Sequence, residues 1–345
     1  RGGYKPNSLW FDDFEQSLPG MAGKRVAITG TTTGTGYVAA LTCARKGAEV
    51  FLLNRDSERA LNAERSLRQE CPGANIHNIT CDLADFASVQ GAAKSLQSLC
   101  APPEGLDVLC CNAGVMAFPD QATGDGFDVQ MQTNHLSHFL LVKEMMPALQ
   151  AAAKSKGEAR IVNHSSGARF GGPLEAEYFE KKGGDLGGDS LSACFHRYHQ
   201  TKLANIVFTF ALADKLKAKG ESSIKAFCCT PGIAATELFS NLEGSGTSFG
   251  PARCLFNCLA PCMIQSAEDG TMPLLKAIAA QDVQSGDLYT PSRGGFRKPT
   301  EAYGPVVASR RPMEPAEKNV VCEDQAAQEL LWRESERAIG ESFVL

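Results

Sequence analysis

Between Lys24 and Thr290, short segments rich in β-branched residues alternate with longer amphipathic segments. Short apolar runs bounded by turn residues predict strands, and a period near 3.6 predicts helices. The predicted strands are Arg25–Thr29, Glu49–Leu53, Asn75–Cys81, Leu106–Cys111, Arg160–His164, Ile224–Cys229 and Asp287–Thr290. Because parallel strands need long crossover connections, this alternation favours an α/β fold, a doubly wound parallel sheet of about seven strands with helices on both faces.

The helical segments fall between these strands and after the last one. They are Thr35–Lys46, Ser57–Glu70, Asp85–Leu99, Asp128–Gln150, Tyr198–Lys219, Ala267–Ala280 and Glu323–Arg337. Neither an internal repeat nor a low-complexity linker divides the chain, so we expect one domain over residues 24–291. Residues 1–23 and 292–345 are its extensions. In the first of them, Trp10 and Phe11 lie on a short amphipathic turn that either packs onto the domain or contacts a membrane surface or a partner.

Composition excludes several classes of protein. The net charge is −5, without the clustered Lys and Arg of a nucleic-acid-binding surface. No apolar run approaches the roughly 18 residues of a membrane span, so we expect no transmembrane segment. We interpret the 13 cysteines as reduced and buried, which indicates an intracellular, reducing compartment. Because the sequence starts at Arg1 and not at Met, the expected compartment is either a plastid or another organelle, or else the cytoplasm.

A metal site is not expected from the cysteine spacing. Cys254, Cys258 and Cys262 are four positions apart, which would place them along one helix face over about three turns. The outer two would then lie too far apart to bind one ion.

A glycine-rich turn joins the first predicted strand to its helix. Residues 29–36 read Thr-Gly-Thr-Thr-Thr-Gly-Thr-Gly. Glycines let a backbone turn tightly and approach a pyrophosphate, while a helix N-terminus offers free N–H groups and a positive dipole end. The turn therefore predicts a dinucleotide site, although its spacing differs from the commonest fingerprint. The residues assigned to it are Gly30, Thr31, Gly34, Thr35 and Gly36.

The end of the second strand bears on the choice of cofactor. A free ribose 2′-hydroxyl is usually bound by an acid at this position, and a 2′-phosphate by an arginine. Asn54 stands where the acid is expected, and Arg55 follows it. Since arginine can bind phosphate through two donors, we predict NADP(H) rather than NAD. The alternative is that Arg55 is a surface residue next to Asp56, the expected N-cap of the following helix.

Tyr198 and Lys202 are one helical turn apart, so their side chains share a helix face. Moving the pKa of a tyrosine from about 10 to about 7 requires roughly 4 kcal/mol of preference for the phenolate. A cation about 4 Å away supplies roughly that much at an effective dielectric of about 20. Lys202 could therefore adapt Tyr198 for proton transfer.

Seven motifs occur in the order and approximate spacing of the short-chain dehydrogenase/reductase family. They are the turn at residues 29–36, Cys81-Asp82-Leu83, Cys111-Asn112-Ala113-Gly114, the Asn134–Phe139 block, Ser165-Ser166, Tyr198-x-x-x-Lys202 and Pro231-Gly232. Over about residues 24–291 the chain resembles this family, whose fold is of the Rossmann type. It is most similar to the retinol dehydrogenase and protochlorophyllide reductase branch. Ala204 stands where protochlorophyllide reductases usually carry cysteine, which disfavours light-driven reduction.

The resemblance implies a catalytic set of four residues. Tyr198 would be the general acid for a carbonyl or the general base for an alcohol, and Lys202 would lower the Tyr198 pKa and bind the nicotinamide ribose. Ser166, rather than Ser165, would donate to the substrate oxygen. Asn134 would hold a water that relays protons to Lys202, unless it only kinks its helix.

The resemblance also implies further cofactor contacts. Asp82 and Leu83 would border the adenine. Nearer the nicotinamide, the expected residues are Asn112, Ala113, Gly114, Pro231, Gly232 and Thr236, the last bonding the carboxamide. The family needs no metal, so we interpret His135, His138, His164 and His199 as core or pocket-wall residues.

Two long segments surround the catalytic residues. Ser166 and Tyr198 are 32 positions apart, a longer interval than in many family members, and a loop of that length is often functional. The insertion at 167–197 could be a lid or a docking surface. With the apolar loop at 233–265, it suggests a bulky hydrophobic substrate such as a retinoid, a tetrapyrrole or a lipid aldehyde.

The sequence thus predicts an NADP(H)-dependent oxidoreductase that acts on a carbonyl or alcohol. The alternative is a structural or assembly subunit that keeps the fold and possibly the nucleotide. Family members often pair through the helices at 128–150 and 198–219, so a homodimer is possible, although the insertion could block it.

Overall fold

The computed structural model describes residues 7–234, 265–293, 303–309 and 320–345. Its strands are β1 Arg25–Thr29, β2 Glu49–Asn54, β3 Ile76–Thr80, β4 Val108–Cys111, β5 Ala159–His164, β6 Ile224–Cys229, β7 Leu288–Arg293 and β8 Tyr303–Ser309. The helices are α1 Phe11–Ser17, α2 Gly34–Arg45, α3 Glu58–Glu70, α4 Phe86–Leu99, α5 Val129–Met131, α6 Ser137–Lys156, α7 Leu191–Ala218, α8 Ala267–Ala279, α9 Val320–Glu323 and α10 Gln325–Ile339.

One sheet forms the centre of the fold. Its strands lie in the order β3-β2-β1-β4-β5-β6-β7-β8. The first seven pair in parallel, and the order reverses between β1 and β4. The doubly wound α/β fold predicted from the sequence is confirmed. The carboxyl ends of the parallel strands all point to the same side of the molecule, and such sheets bind their ligands in the crevice outside these ends.

The predicted number of about seven strands is corrected to eight within the described residues. β8 pairs antiparallel with β7, with Thr290 opposite Val307. The segment Tyr-Gly-Pro-Val-Val-Ala-Ser contains a glycine and a proline, which argue against a strand when only the pattern is considered. An edge strand tolerates proline, because one side of its backbone has no ladder to join.

Helices cover both faces of the sheet. On one face, α1, α2 and α8 contribute to an apolar cluster that includes Phe11, Val38 and Leu275. On the other face, α4, α6, α7 and α10 contribute to a larger cluster that includes Phe139, Phe208 and Leu331. The inner strands β1, β2, β4, β5 and β6 are buried from both sides, which is why they read as nearly continuous apolar runs.

Two predicted helices differ from the observed ones. The segment predicted as one helix over 128–150 is α5, then a π-helical stretch at Gln132–Leu136, then α6, which continues to Lys156. Periodicity cannot reveal a π-helical stretch, since it adds only a local change of register. The helix predicted to begin at Tyr198 begins at Leu191 instead, after the N-cap Ser190, so Tyr198 lies well inside α7.

The N-terminal segment packs onto the domain. Phe11, Leu18 and Met21 are buried in the cluster with α2 and α8. The Asp269 carboxylate of α8 accepts hydrogen bonds from the Leu9 and Trp10 backbone. Of the two interpretations of this segment, the structure supports packing.

Part of the insertion at 167–197 is core. Its residues Leu174, Tyr178, Phe179 and Leu186 are buried in the larger apolar cluster. α10 packs against α7, and its Trp332 ring contacts those of Phe139 and Phe208. α10 thus covers part of α7, one of the two helices through which family members often pair. Across the described residues, no helix combines the length and the apolar character needed to span a membrane.

Candidate active site

A cleft of about 1280 Å³ opens at the carboxyl ends of the parallel strands. Fifteen of the predicted site residues line it: Gly30, Gly34, Thr35, Asn54, Arg55, Asp82, Leu83, Asn112, Ala113, Gly114, Ser166, Tyr198, Lys202, Pro231 and Gly232. Thr31, Gly36 and Asn134 are buried beside the cleft and do not line it. The predicted Thr236, most of the loop at 233–265 and the three spaced cysteines Cys254, Cys258 and Cys262 lie outside the described residues.

The glycine-rich turn joins β1 to α2 at the floor of the cleft. Gly30 has a φ of 71°, a left-handed conformation that side chains other than glycine rarely adopt. α2 starts at Gly34, and its N-cap Thr33 makes no side-chain capping hydrogen bond. The first N–H groups of a helix have no partner within the helix. Residues in this turn line a cleft of adequate size, so the site fits the pyrophosphate of a dinucleotide.

Asn54 fixes the turn. Its Oδ1 accepts a hydrogen bond from the Thr31 backbone N–H at 2.8 Å, and its Nδ2 donates to Thr31 Oγ1 at 2.8 Å. Both ends of the amide are therefore engaged within the protein. Asn54 braces the turn and also lines the cleft, and its predicted contact with the cofactor stays a prediction.

Arg55 is an exposed cation that lines the cleft just after β2. Its side chain makes no hydrogen bond or ion pair with the described part of the chain. The N-cap of α3 is Ser57, not Asp56 as predicted, because the Ser57 hydroxyl accepts from the Ala60 N–H. Arg59 in the first turn of α3 also lines the cleft and was missed from the sequence. Arg59 is the second residue of α3, and a cation in the first turn after β2 was the sequence feature that could have identified it.

Asn112 connects β4 to the same turn. Its Nδ2 donates to the carbonyl of Thr29 at 2.9 Å, and its Oδ1 accepts from Thr35 Oγ1 at 2.9 Å. His164 Nδ1 lies 3.0 Å from the same Oδ1. Asn112 therefore ties together β1, α2, β4 and the end of β5, and the strand ends that form the cleft are held by polar side chains.

Asp82 and Leu83 follow β3 at the side of the cleft. The Asp82 carboxylate accepts from the Ala84 N–H at 3.0 Å, and the Leu83 carbonyl accepts from the Ser137 hydroxyl at 2.7 Å. These contacts fix the loop between β3 and α4. Both residues line the same cleft as Gly30 and Arg55.

Tyr198 and Lys202 lie together inside the cleft. Each is only 4% exposed, and Lys202 Nζ lies 5.6 Å from the Tyr198 ring centroid. Burial raises the pKa of Tyr198 to about 12, while a hydrogen bond from Ser166 opposes that change. The sequence predicted a lowered pKa. That prediction is wrong for the protein alone, because the desolvation of the phenolate outweighs the neighbouring donors.

Lys202 is held by the end of β5. Its Nζ donates to the His164 carbonyl at 3.2 Å. Burial lowers the pKa of Lys202 to about 8, so its charged form is disfavoured as well. Burial thus favours the neutral form of each of the two groups.

The two adjacent serines have different environments. Ser165 is buried, and its hydroxyl donates to the Lys202 main-chain carbonyl at 2.6 Å. Ser166 lines the cleft and hydrogen-bonds to Tyr198. The structure places Ser166, the residue chosen from the sequence, beside the phenol.

Asn134 lies in the π-helical stretch and is fully buried. Its Oδ1 accepts from the Val115 N–H at 2.7 Å, and its Nδ2 donates to the Val115 carbonyl at 2.8 Å. A Cβ atom at Gly114 would lie 3.1 Å from Asn134 Oδ1 and 3.3 Å from Lys202 Nζ. Asn134 and Lys202 therefore approach each other across Gly114, close enough for a small molecule to connect them.

The four histidines are partnered within the protein. Each is at least nine-tenths buried, and each ring has a hydrogen-bond partner: Asn205 and Ser335 for His135, Thr29 for His138, Asn112 for His164 and Ala168 for His199. His164 also lines the cleft. In the described part of the chain, no three His, Cys, Asp or Glu residues are grouped closely enough to hold a metal ion.

Apolar side chains also line the cleft. Sequence reasoning missed four of its residues, Met116, Phe118, Phe170 and Val307. Val307 comes from β8, the strand that the pattern did not predict. Of the insertion, only residues 167–170 line the cleft, while Tyr178 and Phe179 are buried in the core instead of covering the site. Tyr178 and Phe179, which belong to the insertion for which we left a lid or a docking surface open, therefore pack in the core.

A glycine-rich turn at the switch point of a parallel sheet, facing a buried Tyr-Lys pair, defines a dinucleotide-dependent α/β oxidoreductase. The model of the short chain dehydrogenase family matches residues 24–184. Mouse polyprenol dehydrogenase is 30% identical over 94% of this chain and 86% of its own length. Human retinol dehydrogenase 13 is 30% identical over 92% of this chain and 85% of its own length. The chain belongs to the short-chain dehydrogenase family.

Two further similarities agree with this family. An uncharacterized oxidoreductase of Schizosaccharomyces pombe is 38% identical over 224 residues, which are 64% of this chain and 63% of that relative. A crystal structure of an uncharacterized protein from Mycobacterium paratuberculosis is similar with a TM-score of 0.68 and 27% identity, covering 96% of this chain and 98% of that chain.

Proposed function

We propose that this protein transfers hydride between NADP(H) and a carbonyl or alcohol group of a bulky hydrophobic substrate, with Tyr198 as the general acid or base. The observation that carries the proposal is that Ser166, Tyr198 and Lys202 line one cleft together with the glycine-rich turn. When bound, NADPH would supply the hydride. The chain itself would orient the substrate oxygen and move the proton.

Reduction is the direction that the electrostatics favour. A tyrosine whose pKa is raised to about 12 stays protonated at neutral pH and can donate to a carbonyl oxygen. Ser166, which hydrogen-bonds to this phenol, would also donate to the same oxygen. Lys202 would bind the nicotinamide ribose, and its charge would stabilise the phenolate that forms when Tyr198 gives up its proton.

Arg55 and Arg59 support NADP(H) over NAD(H). Both line the cleft near the end of β2, where a 2′-phosphate is expected. Asn54 is an amide that is already bonded to Thr31, and it supplies no carboxylate at the position that usually binds a free 2′-hydroxyl. Asp56 also lines the cleft and would oppose a phosphate, which makes the two arginines the deciding groups.

The substrate end favours an apolar compound. Met116, Phe118, Phe170 and Val307 supply apolar surface beyond the catalytic residues. The names of the two 30% identical relatives refer to polyprenol and retinol, both long isoprenoid alcohols. We therefore propose an isoprenoid or related lipid aldehyde as the substrate class, with Pro231, Gly232 and Thr236 flanking the nicotinamide.

The test is a fluorescence titration with NADPH and NADH, followed by turnover of all-trans-retinal and a short polyprenal. Wild type should bind NADPH at least about tenfold more tightly than NADH, and Arg55→Ala should remove most of that preference. Arg65→Ala is the matched control, since it removes the same charge from the exposed side of α3 outside the cleft. Tyr198→Phe should bind NADPH normally and lose about 10²- to 10⁴-fold in turnover.

Two results would contradict the proposal. If neither NADPH nor NADH binds, the proposed oxidoreductase activity is excluded and a structural or assembly role is favoured. Equal turnover by wild type and Tyr198→Phe would remove Tyr198 from the chemistry.

A further inference from the structure

Arg197 directly precedes Tyr198 and is 1% exposed. Its guanidinium donates to three backbone carbonyls: Nη1 to Leu186 at 3.0 Å and Gly188 at 2.8 Å, and Nη2 to Phe118 at 3.1 Å. A buried guanidinium is costly unless its donors are satisfied. Its three acceptors come from the loop after β4 and from the insertion, two segments that are distant in sequence.

Two buried carboxylates face the same guanidinium. Nε lies 3.4 Å from Asp128 Oδ2, and Nη1 lies 3.7 Å from Asp120 Oδ2. Asp120 in turn accepts from the N–H groups of Gly184, Leu186 and Gly188. We call this group the Arg197 cluster: Arg197, Asp120, Asp128 and the carbonyls of Phe118, Leu186 and Gly188.

Each segment in the cluster leads to a part of the active site. Phe118 lines the cleft. Asp128 is the N-cap of α5, accepting from the Gln130 and Met131 N–H groups, and α5 runs directly into the π-helical stretch that holds Asn134. Arg197 itself is adjacent to Tyr198 on α7. One buried cation therefore joins three elements that position the proposed catalytic groups or the substrate wall.

We propose that Arg197 is a positioning residue, which holds α7, the loop after β4 and the start of α5 in register and couples the insertion to the active site. The proposal rests on the proposed function, because it takes Tyr198 as the proton donor. It assigns the insertion a second role besides packing: its carbonyls at Leu186 and Gly188 fix the guanidinium that orients the cleft.

Arginine is needed here for its geometry. Its planar group offers five N–H donors in fixed directions, whereas a lysine offers three from a single nitrogen. An ammonium at this depth could not reach the Phe118 carbonyl on one side and the Leu186 and Gly188 carbonyls on the other. Arg197→Lys should therefore keep the buried charge and lose the alignment of α7 with the loop after β4 and the start of α5.

The experiment compares Arg197→Lys with Arg160→Lys. Arg160 is also buried, and it donates to the carbonyls of Ala277 and Ile278, but it lies at the opposite end of β5 from the cleft. We expect Arg197→Lys to lower kcat about 10- to 100-fold, with KM and the NADPH Kd changed by less than about threefold. Arg160→Lys should leave kcat unchanged at a comparable loss of stability.

Hydrogen–deuterium exchange on the same two variants supplies a measurement that needs no substrate. Arg197→Lys should speed exchange in residues 115–120, 126–134 and 184–190 together, and Arg160→Lys should leave all three as in wild type. Equal kcat and equal exchange in the two variants would overturn the proposal, as would a decrease in Arg197→Lys activity that appears only in KM. If wild type turns over no substrate, the proposed function fails. The exchange pattern then decides by itself whether the Arg197 cluster holds residues 115–120, 126–134 and 184–190 together.

Discussion

Lys202 Nζ lies 5.6 Å from the centroid of the Tyr198 ring, and both side chains are 4% exposed. Burial changes their pKa values in opposite directions, raising that of Tyr198 to about 12 and lowering that of Lys202 to about 8. The two changes share one cause, because a site with little water disfavours every charge. At neutral pH the cost to stability comes from Lys202, because Tyr198 is uncharged in both the folded and the unfolded chain.

Lys202→Met should stabilise the protein at pH 7. The folded pKa of about 8 is below the ordinary lysine pKa of 10.5, so the unfolded chain binds more protons between these pH values. The lysine therefore destabilises the fold below about pH 8, and this cost fades as the pH rises toward 10.5. We expect a gain of roughly 2 kcal/mol at pH 7, after subtracting the lost hydrogen bond to His164.

Urea unfolding at pH 7 and pH 9.5 measures this gain as a difference between variant and wild type, so that the ionisation of cysteines cancels. Lys217→Met, at an exposed position on the same helix, is the control and should change stability by less than about 0.5 kcal/mol. A gain at pH 9.5 as large as that at pH 7 would show that the charge of Lys202 is not its cause.

Gly114→Ala should abolish most activity without unfolding the protein. The new Cβ would lie 3.1 Å from Asn134 Oδ1 and 3.3 Å from Lys202 Nζ, closer than nearly all real contacts. The ammonium must then move from its place beside Tyr198, and we expect kcat to fall about 100-fold. Gly124→Ala is the control, since its Cβ would meet nothing within 4 Å. Steady-state kinetics and thermal melting of both variants test the prediction, and normal kcat in Gly114→Ala contradicts it.

Acid should destabilise the fold through three buried histidines. Burial lowers the pKa of His135 and His164 to about 3 and that of His138 to about 4. Their folded pKa values are below the ordinary histidine pKa of 6.5, so their contribution to stability is complete above pH 6.5 and is lost as the pH falls toward 4. Asp128 has the opposite effect, because burial raises its pKa to about 6 and the folded protein binds a proton there between about pH 6 and 4. It therefore cancels the contribution of about one of the three histidines to the slope. The net slope near pH 5 should be roughly 3 kcal/mol per pH unit.

Urea midpoints at pH 7, 6 and 5 give this slope. His135→Gln should reduce it by about 1.4 kcal/mol per pH unit, because one proton is removed from the balance. His196→Gln should leave it unchanged, since His196 is exposed. The same slope in all three proteins would exclude His135 as a source of the acid sensitivity.

Trp332→Ala should cost about 3–5 kcal/mol of unfolding free energy. The ring is 6% exposed and packs 5.3 Å from the Phe139 ring and 5.0 Å from the Phe343 ring, centroid to centroid. Its removal leaves a cavity between α10, α6 and α7. Glu329→Ala, on the exposed side of α10 where its hydrogen-bond partner Gln325 is also exposed, should cost less than about 0.5 kcal/mol. Chemical denaturation of both variants tests whether α10 is an integral part of the fold, and equal midpoints would show that it is not.

The elements that the sequence predicted correctly are those with a local signal. β6 was predicted with its observed bounds, Ile224–Cys229, because a β-branched and apolar run between turn residues needs no other part of the chain to identify it. β8 was missed because Gly304 and Pro305 weaken its own signal, and only the neighbouring β7 makes it a strand. The π-helical stretch around Asn134 was missed for the same reason, since nothing local distinguishes it from an α-helix.

The sequence by itself determined the sheet, the order of the motifs and the residues that would meet at the strand ends, because periodicity and turn chemistry act over a few residues. Tertiary structure decided what those residues do. The sequence predicted Asn54 at the cofactor site, and only the folded chain shows that its amide also braces the turn through two bonds to Thr31. The pKa of Tyr198 depends on burial, which the whole fold sets. Arg197 carried no motif, and its role arises from acceptors at Phe118, Leu186 and Gly188 that only folding brings within hydrogen-bond distance.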